Sequence, residues 1–199
     1  MTMSPKTATK RKTLRNEIRV IGIDDASFDK FKDKQTLAIG VIFRGGNFLD
    51  GIVSISVDVD GDDATDQLAK MIIGSKFKSQ LRCILLDGIA VGGFNVIDIH
   101  ELSEKTRLPV IVVVRNYPDF EKIFAALEKL GFGAKKILIK KAGNPIRIGK
   151  VHVQLCGISL EKAREIMQLT CTRADVPEPI RVAHLIGQGI RYGESKGRA

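Results

Sequence analysis

The sequence predicts a mixed α/β fold, a single sheet flanked by helices in which three antiparallel strands are followed by parallel ones. Three observations carry this expectation. Apolar segments rich in Val, Ile and Phe follow one another early in the chain with only short polar or Gly-bearing turns between them, as consecutive antiparallel strands do. Beyond residue 63, helical periodicity alternates with strands that are apolar on both faces, the mark of interior parallel strands. The 199 residues suffice for one domain and a core that needs no covalent staples.

The elements follow in order. Residues 1–13 (MTMSPKTATKRKT) are polar and basic with almost nothing to bury, so they read as a flexible arm before a single domain at 14–199. Residues 18–23, 37–43 and 52–59 are the three opening strands. Residues 63–73 form a helix, with Leu68, Met71 and Ile72 on one face. The segments 81–86 (LRCILL) and 109–114 (PVIVVV) are apolar throughout, and the amphipathic stretch 97–106 supplies the crossover helix between them. A helix over 120–130 closes at Gly131, 136–139 reads as a further strand, and 146–155 as a hairpin. Ser159 caps a helix running to about 169, and Pro177-Glu178-Pro179 opens a last helix through 186.

Thirty-two Lys and Arg against 23 Asp and Glu give a net charge of +9, with a pI near 9.6. Such a chain gains affinity for an anionic partner, nucleic acid or phosphate-bearing. Cys83, Cys156 and Cys171 are odd in number, without CxxC spacing, which argues against a disulfide framework and fits a reducing cytoplasm. No apolar run approaches the roughly 18 residues of a membrane span, so a soluble protein is expected.

The chemistry is carried by aspartates. In Val20-Ile21-Gly22-Ile23-Asp24-Asp25, apolar residues lead a strand into two acids whose side chains alternate, so only one can serve a given site. Asp87 ends the apolar strand 81–86, and ligand sites in open α/β sheets lie outside such carboxyl ends. A third acid comes from Asp58, Asp60, Asp62 or Asp63. Crowded carboxylates repel one another, and a hard divalent cation, Mg²⁺ or Mn²⁺, relieves this and can activate water against a phosphodiester. The competing account is structural: Asp after a strand is a common turn former, and Asp63 is well placed to cap the helix that follows it.

These residues resemble endonuclease V of the ribonuclease H-like superfamily. Gly22-Ile23-Asp24 is similar to that family's first-strand G-x-D, and Leu86-Asp87-Gly88 to its V-D-G. Pro177-Glu178-Pro179-Ile180-Arg181-Val182-Ala183 is similar to its closing P-E-P-x-R-x-A. The likeness is closer still to a mainly archaeal group of relatives sharing IGIDDASF and a stretch like Val59-Asp60-Gly61-Asp62-Asp63-Ala64-Thr65. The resemblance implies a ribonuclease H-like fold, a Mg²⁺- or Mn²⁺-dependent nuclease acting on DNA or RNA, and Asp24, Asp63 and Asp87 as catalytic metal ligands. It also implies Arg115 as a basic residue able to contact phosphate. Two departures stand out. Cys156 occupies the place of a family histidine, and no aromatic wedge is found around residues 50–57.

Lys135, Lys136, Lys140, Lys141, Arg147 and Lys150 form an acid-free basic stretch, read as crossing a strand and a turn. Lys140 and Lys141 could track a phosphate backbone, or lysines could guard an edge strand. His100, His152 and His184 are too scattered for a metal triad, and His100 and His184, on predicted helices, read as structural residues. Gly45-Gly46 and Gly92-Gly93 read as turns, the second close enough to Asp87 to line a pocket. A non-catalytic nucleic-acid-binding module, and a binder of phosphorylated small molecules using the Gly92-Gly93 loop, are the alternative functions.

Overall fold

A computed structural model describes residues 17–195; the expected basic arm at 1–13 lies outside them. Three strands open the chain: β1 (Arg19–Asp25), β2 (Gln35–Arg44) and β3 (Phe48–Asp58). They pair antiparallel, β2 lying between β1 and β3. Helix α1 (Ala64–Gly74) then leads to β4 (Leu81–Asp87), which lies parallel to β1 on its free side. A two-stranded ribbon, β5 (Ala90–Val91) with β6 (Asn95–Val96), precedes α2 (Ile99–Thr106) and β7 (Val110–Val114), which pairs parallel to β4. After α3 (Phe120–Lys129) and α4 (Lys136–Lys141), β8 (Ile146–Ile148) and β9 (Val151–Cys156) form a hairpin, with β9 antiparallel to β7. Helices α5 (Leu160–Thr170) and α6 (Glu178–Tyr192) end the described chain. The sheet has seven strands in the order β3-β2-β1-β4-β7-β9-β8.

The two-sided apolar strands lie at the centre, as their composition requires. Along β4, Ile84 and Leu86 pack with Leu68, Ile72 and Leu102 of α1 and α2, while Cys83 and Leu85 face Ile166 and Ile180 of α5 and α6. Alternation along one strand therefore serves two cores. A third, smaller cluster of Val96, Leu127 and Ile139 lies under α3 and α4. Three helices carry side-chain caps: Asp98 accepts from His100 N and Glu101 N, Asp119 from Lys122 N, and Ser159, the cap expected from the sequence, from Lys162 N.

The structure corrects one element. Residues 136–139, expected as a strand, belong to α4, entered through a 3-10 turn at Gly133–Lys135. The buried positions Lys135 and Ile139 are four apart, a helical interval. The pattern is hidden in the sequence because its first member is a lysine. That lysine donates to the carbonyls of Asp60, Gly61 and Phe94 at 2.6–2.8 Å and pairs with Asp62 at 3.1 Å.

Candidate metal centre and adjoining pocket

The register of β1 against β4 sets Ile23 beside Leu86, so Asp24 and Asp87 end neighbouring parallel strands. Their approach to α6 depends on Gly22. A Cβ there would lie 2.4 Å from the carbonyl carbon of Pro179 and 2.5 Å from Ile180 N, so only glycine lets the helix backbone rest on the strand. Gly187 repeats the device one helical stretch on, since a Cβ there would meet Asp25 O at 2.8 Å. Between these contacts the helix brings His184 over the strand end. Its Nδ1 lies 2.8 Å from Asp24 Oδ2, and Gln188 Nε2 lies 2.9 Å from its Nε2. With the Gln188 amide donating to Nε2, the neutral ring carries its proton on Nδ1 and donates it to Asp24.

One ligand atom each from Asp24, Asp87 and His184 lie within 4.8 Å of one another. Burial, and then the charge of Asp24, pushes the Asp87 carboxyl up to about 6. The hydrogen bond to the Asp24 carboxylate holds the His184 imidazole above its ordinary value. Asp25 points away from this group, and its carboxylate accepts from Gly92 N at 2.6 Å. Burial and the charge of Asp24 raise its pKa too. Two carboxylates and an imidazole make a donor set suited to a divalent cation of the Mn²⁺ or Mg²⁺ kind, the imidazole being the softer donor.

The remaining expected site residues lie as follows. The Asp63 carboxylate accepts from Asp58 N at 3.1 Å and from Asn95 Nδ2 at 2.6 Å, outside the Asp24–Asp87–His184 group. It does not cap α1 with its side chain; the buried Asn95 does so, its Oδ1 accepting from Ala64 N at 3.0 Å. Asp60, at a positive φ of 56°, accepts from Phe94 N at 2.7 Å. The aspartates at 58–63 thus brace a loop against Asn95 and Lys135. Arg115, half exposed, has Nη1 3.6 Å from Asp87 Oδ2. Lys140 lies over the Phe124 ring, and Lys141 pairs with Asp98 at 2.5 Å. Cys156 lies 3.5 Å from His100 Nδ1 and is not part of the group. His184 is the member that sequence reasoning passed over. The available signal was its position seven residues beyond Pro177, directly after the segment similar to P-E-P-x-R-x-A.

At the carboxyl ends of β4 and β7 a cavity of about 350 Å³ reaches Gly88, next to Asp87 in the chain, and Val114, next to Arg115. Its walls include Phe94, Phe120 and Ile139, and Gly93 contributes to its lining.

A seven-stranded mixed sheet flanked by helices, with acids at the ends of two adjacent parallel strands, has the ribonuclease H-like fold. Solved structures agree. Endonuclease V from Bacillus subtilis superposes with a TM-score of 0.61 at 12% identity, covering 90% of this chain and 84% of that one. Ciona intestinalis endonuclease V, in complex with an inosine-containing DNA, gives 0.56 at 17%, covering 86% and 84%. A protein from Archaeoglobus fulgidus reaches a TM-score of 0.81 at 36% identity, covering 86% of this chain and 97% of that one. The chain belongs to the endonuclease dU family, whose model matches residues 16–191. A relative, the UPF0215 protein of Methanothermobacter thermautotrophicus, is 46% identical over 191 residues, 94% of each chain.

Proposed function

We propose that this protein is a divalent-metal-dependent endonuclease that nicks DNA at deoxyuridine. The observation that carries the reading is the convergence of Asp24, Asp87 and His184 within 4.8 Å. The name of the family, endonuclease dU, and the inosine-containing DNA bound by the Ciona protein support a nucleic-acid substrate with an altered base. The cavity beside Asp87 supports it too, because enzymes that act at a particular base extrude it into an apolar pocket.

Asp24, Asp87 and His184 would hold Mn²⁺ or Mg²⁺, which supplies Lewis-acid activation of water and offsets phosphoryl charge when bound. Arg115, beside Asp87 and open to solvent, would take a non-bridging phosphate oxygen. Asp63 is left to the loop that Asn95 organises.

The test uses oligonucleotides that carry a single dU, dI or dT, in DNA and RNA, single-stranded and duplex, with Mn²⁺, Mg²⁺ or chelator. A nick at dU that needs metal and drops at least about a hundredfold in Asp87→Asn is the expected result. A wild-type protein inert on every substrate with both metals sinks the proposal.

A further inference from the structure

We infer that Gln154 reads the base, its side-chain oxygen accepting the ring N–H of a deoxyuridine extruded into the cavity beside Asp87. This rests on the nuclease reading above and adds the residue that would set its base preference. Among the described residues lining the cavity none is charged, and the only side-chain amides are those of Asn116 and Gln154. Its volume of about 350 Å³ is at the lower end of the roughly 300–1,000 Å³ typical of small-ligand pockets. Apolar and aromatic walls without charge suit a neutral, planar heterocycle.

The two amides differ in freedom. Asn116 is exposed and can turn either end toward a ligand. Gln154 is 4% exposed, on the strand β9, and its Nε2 donates to Gly143 O at 2.6 Å. Turning the amide over would set two oxygens against each other, so its orientation is pinned. The oxygen Oε1 receives no hydrogen bond among the described residues, although the side chain lines the cavity. A fixed acceptor facing a largely apolar cavity rewards a base edge that presents N–H and penalises one that presents a lone pair. Uracil has N3–H between two carbonyls. Cytosine has a bare N3 at that position, which would face the amide oxygen. Thymine shares the N–H of uracil, so Gln154 separates uracil from cytosine and leaves the rejection of a methyl group to the cavity walls.

The experiment compares otherwise identical oligonucleotides carrying deoxyuridine or N3-methyldeoxyuridine, which lacks that proton. Binding is read by anisotropy without metal and nicking with Mn²⁺, for wild type and for Gln154→Leu. Wild type is expected to favour deoxyuridine by about 10- to 100-fold, the effect of one buried hydrogen bond. In Gln154→Leu the ratio is expected to fall to within about threefold, with the Mn²⁺-induced rise in melting temperature unchanged. Gln154→Met replaces that variant if it does not fold. A wild type that nicks both substrates equally, or a variant that keeps the full preference, overturns the role of Gln154 and leaves the nuclease reading intact. A wild type that neither binds nor nicks either substrate overturns both.

Discussion

Asp87 pays for its position in the metal-free protein, because burial and the neighbouring Asp24 raise its carboxyl to about 6. In the unfolded chain it loses its proton near 3.8. Between pH 4 and 6 the folded form therefore binds the extra proton, and stability falls as pH rises. Above pH 6 the whole cost is present, on the order of 2–3 kcal/mol. Asp87→Asn is expected to raise the metal-free melting temperature at pH 7.5 by several degrees and to lose that advantage below pH 4. Mn²⁺ should stabilise the wild type and not the variant. Scanning calorimetry with and without Mn²⁺ checks both, and a variant less stable than wild type at pH 7.5 contradicts the argument. Asp24 and Asp87 were legible in the sequence because each follows an apolar strand. His184 was not, because its contact with Asp24 spans 160 residues. Asp63 was misleading for a local reason: its surroundings suit a cap, and Asn95, 32 residues away, performs that task.

At the level of elements, α6 is fixed to β1 by the missing side chain of Gly22. The Cβ of Gly22→Ala would collide with backbone atoms of Pro179 and Ile180, which cannot rotate aside, so the helix must move as a body and carry His184 with it. Overpacking of this kind costs about 1–3 kcal/mol. The expected result is a folded variant of lower melting temperature whose Mn²⁺ affinity by titration calorimetry is at least about tenfold weaker; an unchanged affinity would mean that His184 reaches the carboxylates without this packing. Strands were legible where apolar runs ended at an acid, as in β1 and β4, or were apolar on both faces, as in β7. Helix α4 was not, since its buried face begins with Lys135, whose ammonium lies on three carbonyls that come from distant loops. No local pattern announces a lysine of that kind.

Across the whole molecule, topology was legible because two-sided apolar strands must be central and their connections right-handed. Charge distribution was legible too, and it bears on how DNA would be held. Lys6, Lys10, Arg11, Lys12, Arg15, Lys196 and Arg198 supply seven of the nine excess positive charges, leaving +2 for residues 17–195. Within those residues Lys135 is buried and tied to loop carbonyls, and Lys141 is paired with Asp98. The non-specific electrostatic part of DNA binding should therefore come chiefly from the ends of the chain. On duplex DNA each phosphate contact contributes about 0.9 to the slope of log K against log salt. Deleting residues 1–16, with five basic residues and no acid, is expected to lower that slope by up to about 4.5. Nicking at saturating substrate should persist, since Asp24, Asp87 and His184 remain. Anisotropy titrations from low to moderate salt measure the slope. A slope unchanged by the deletion would assign the phosphate contacts to the folded chain, with Arg115 beside Asp87 the first residue to replace.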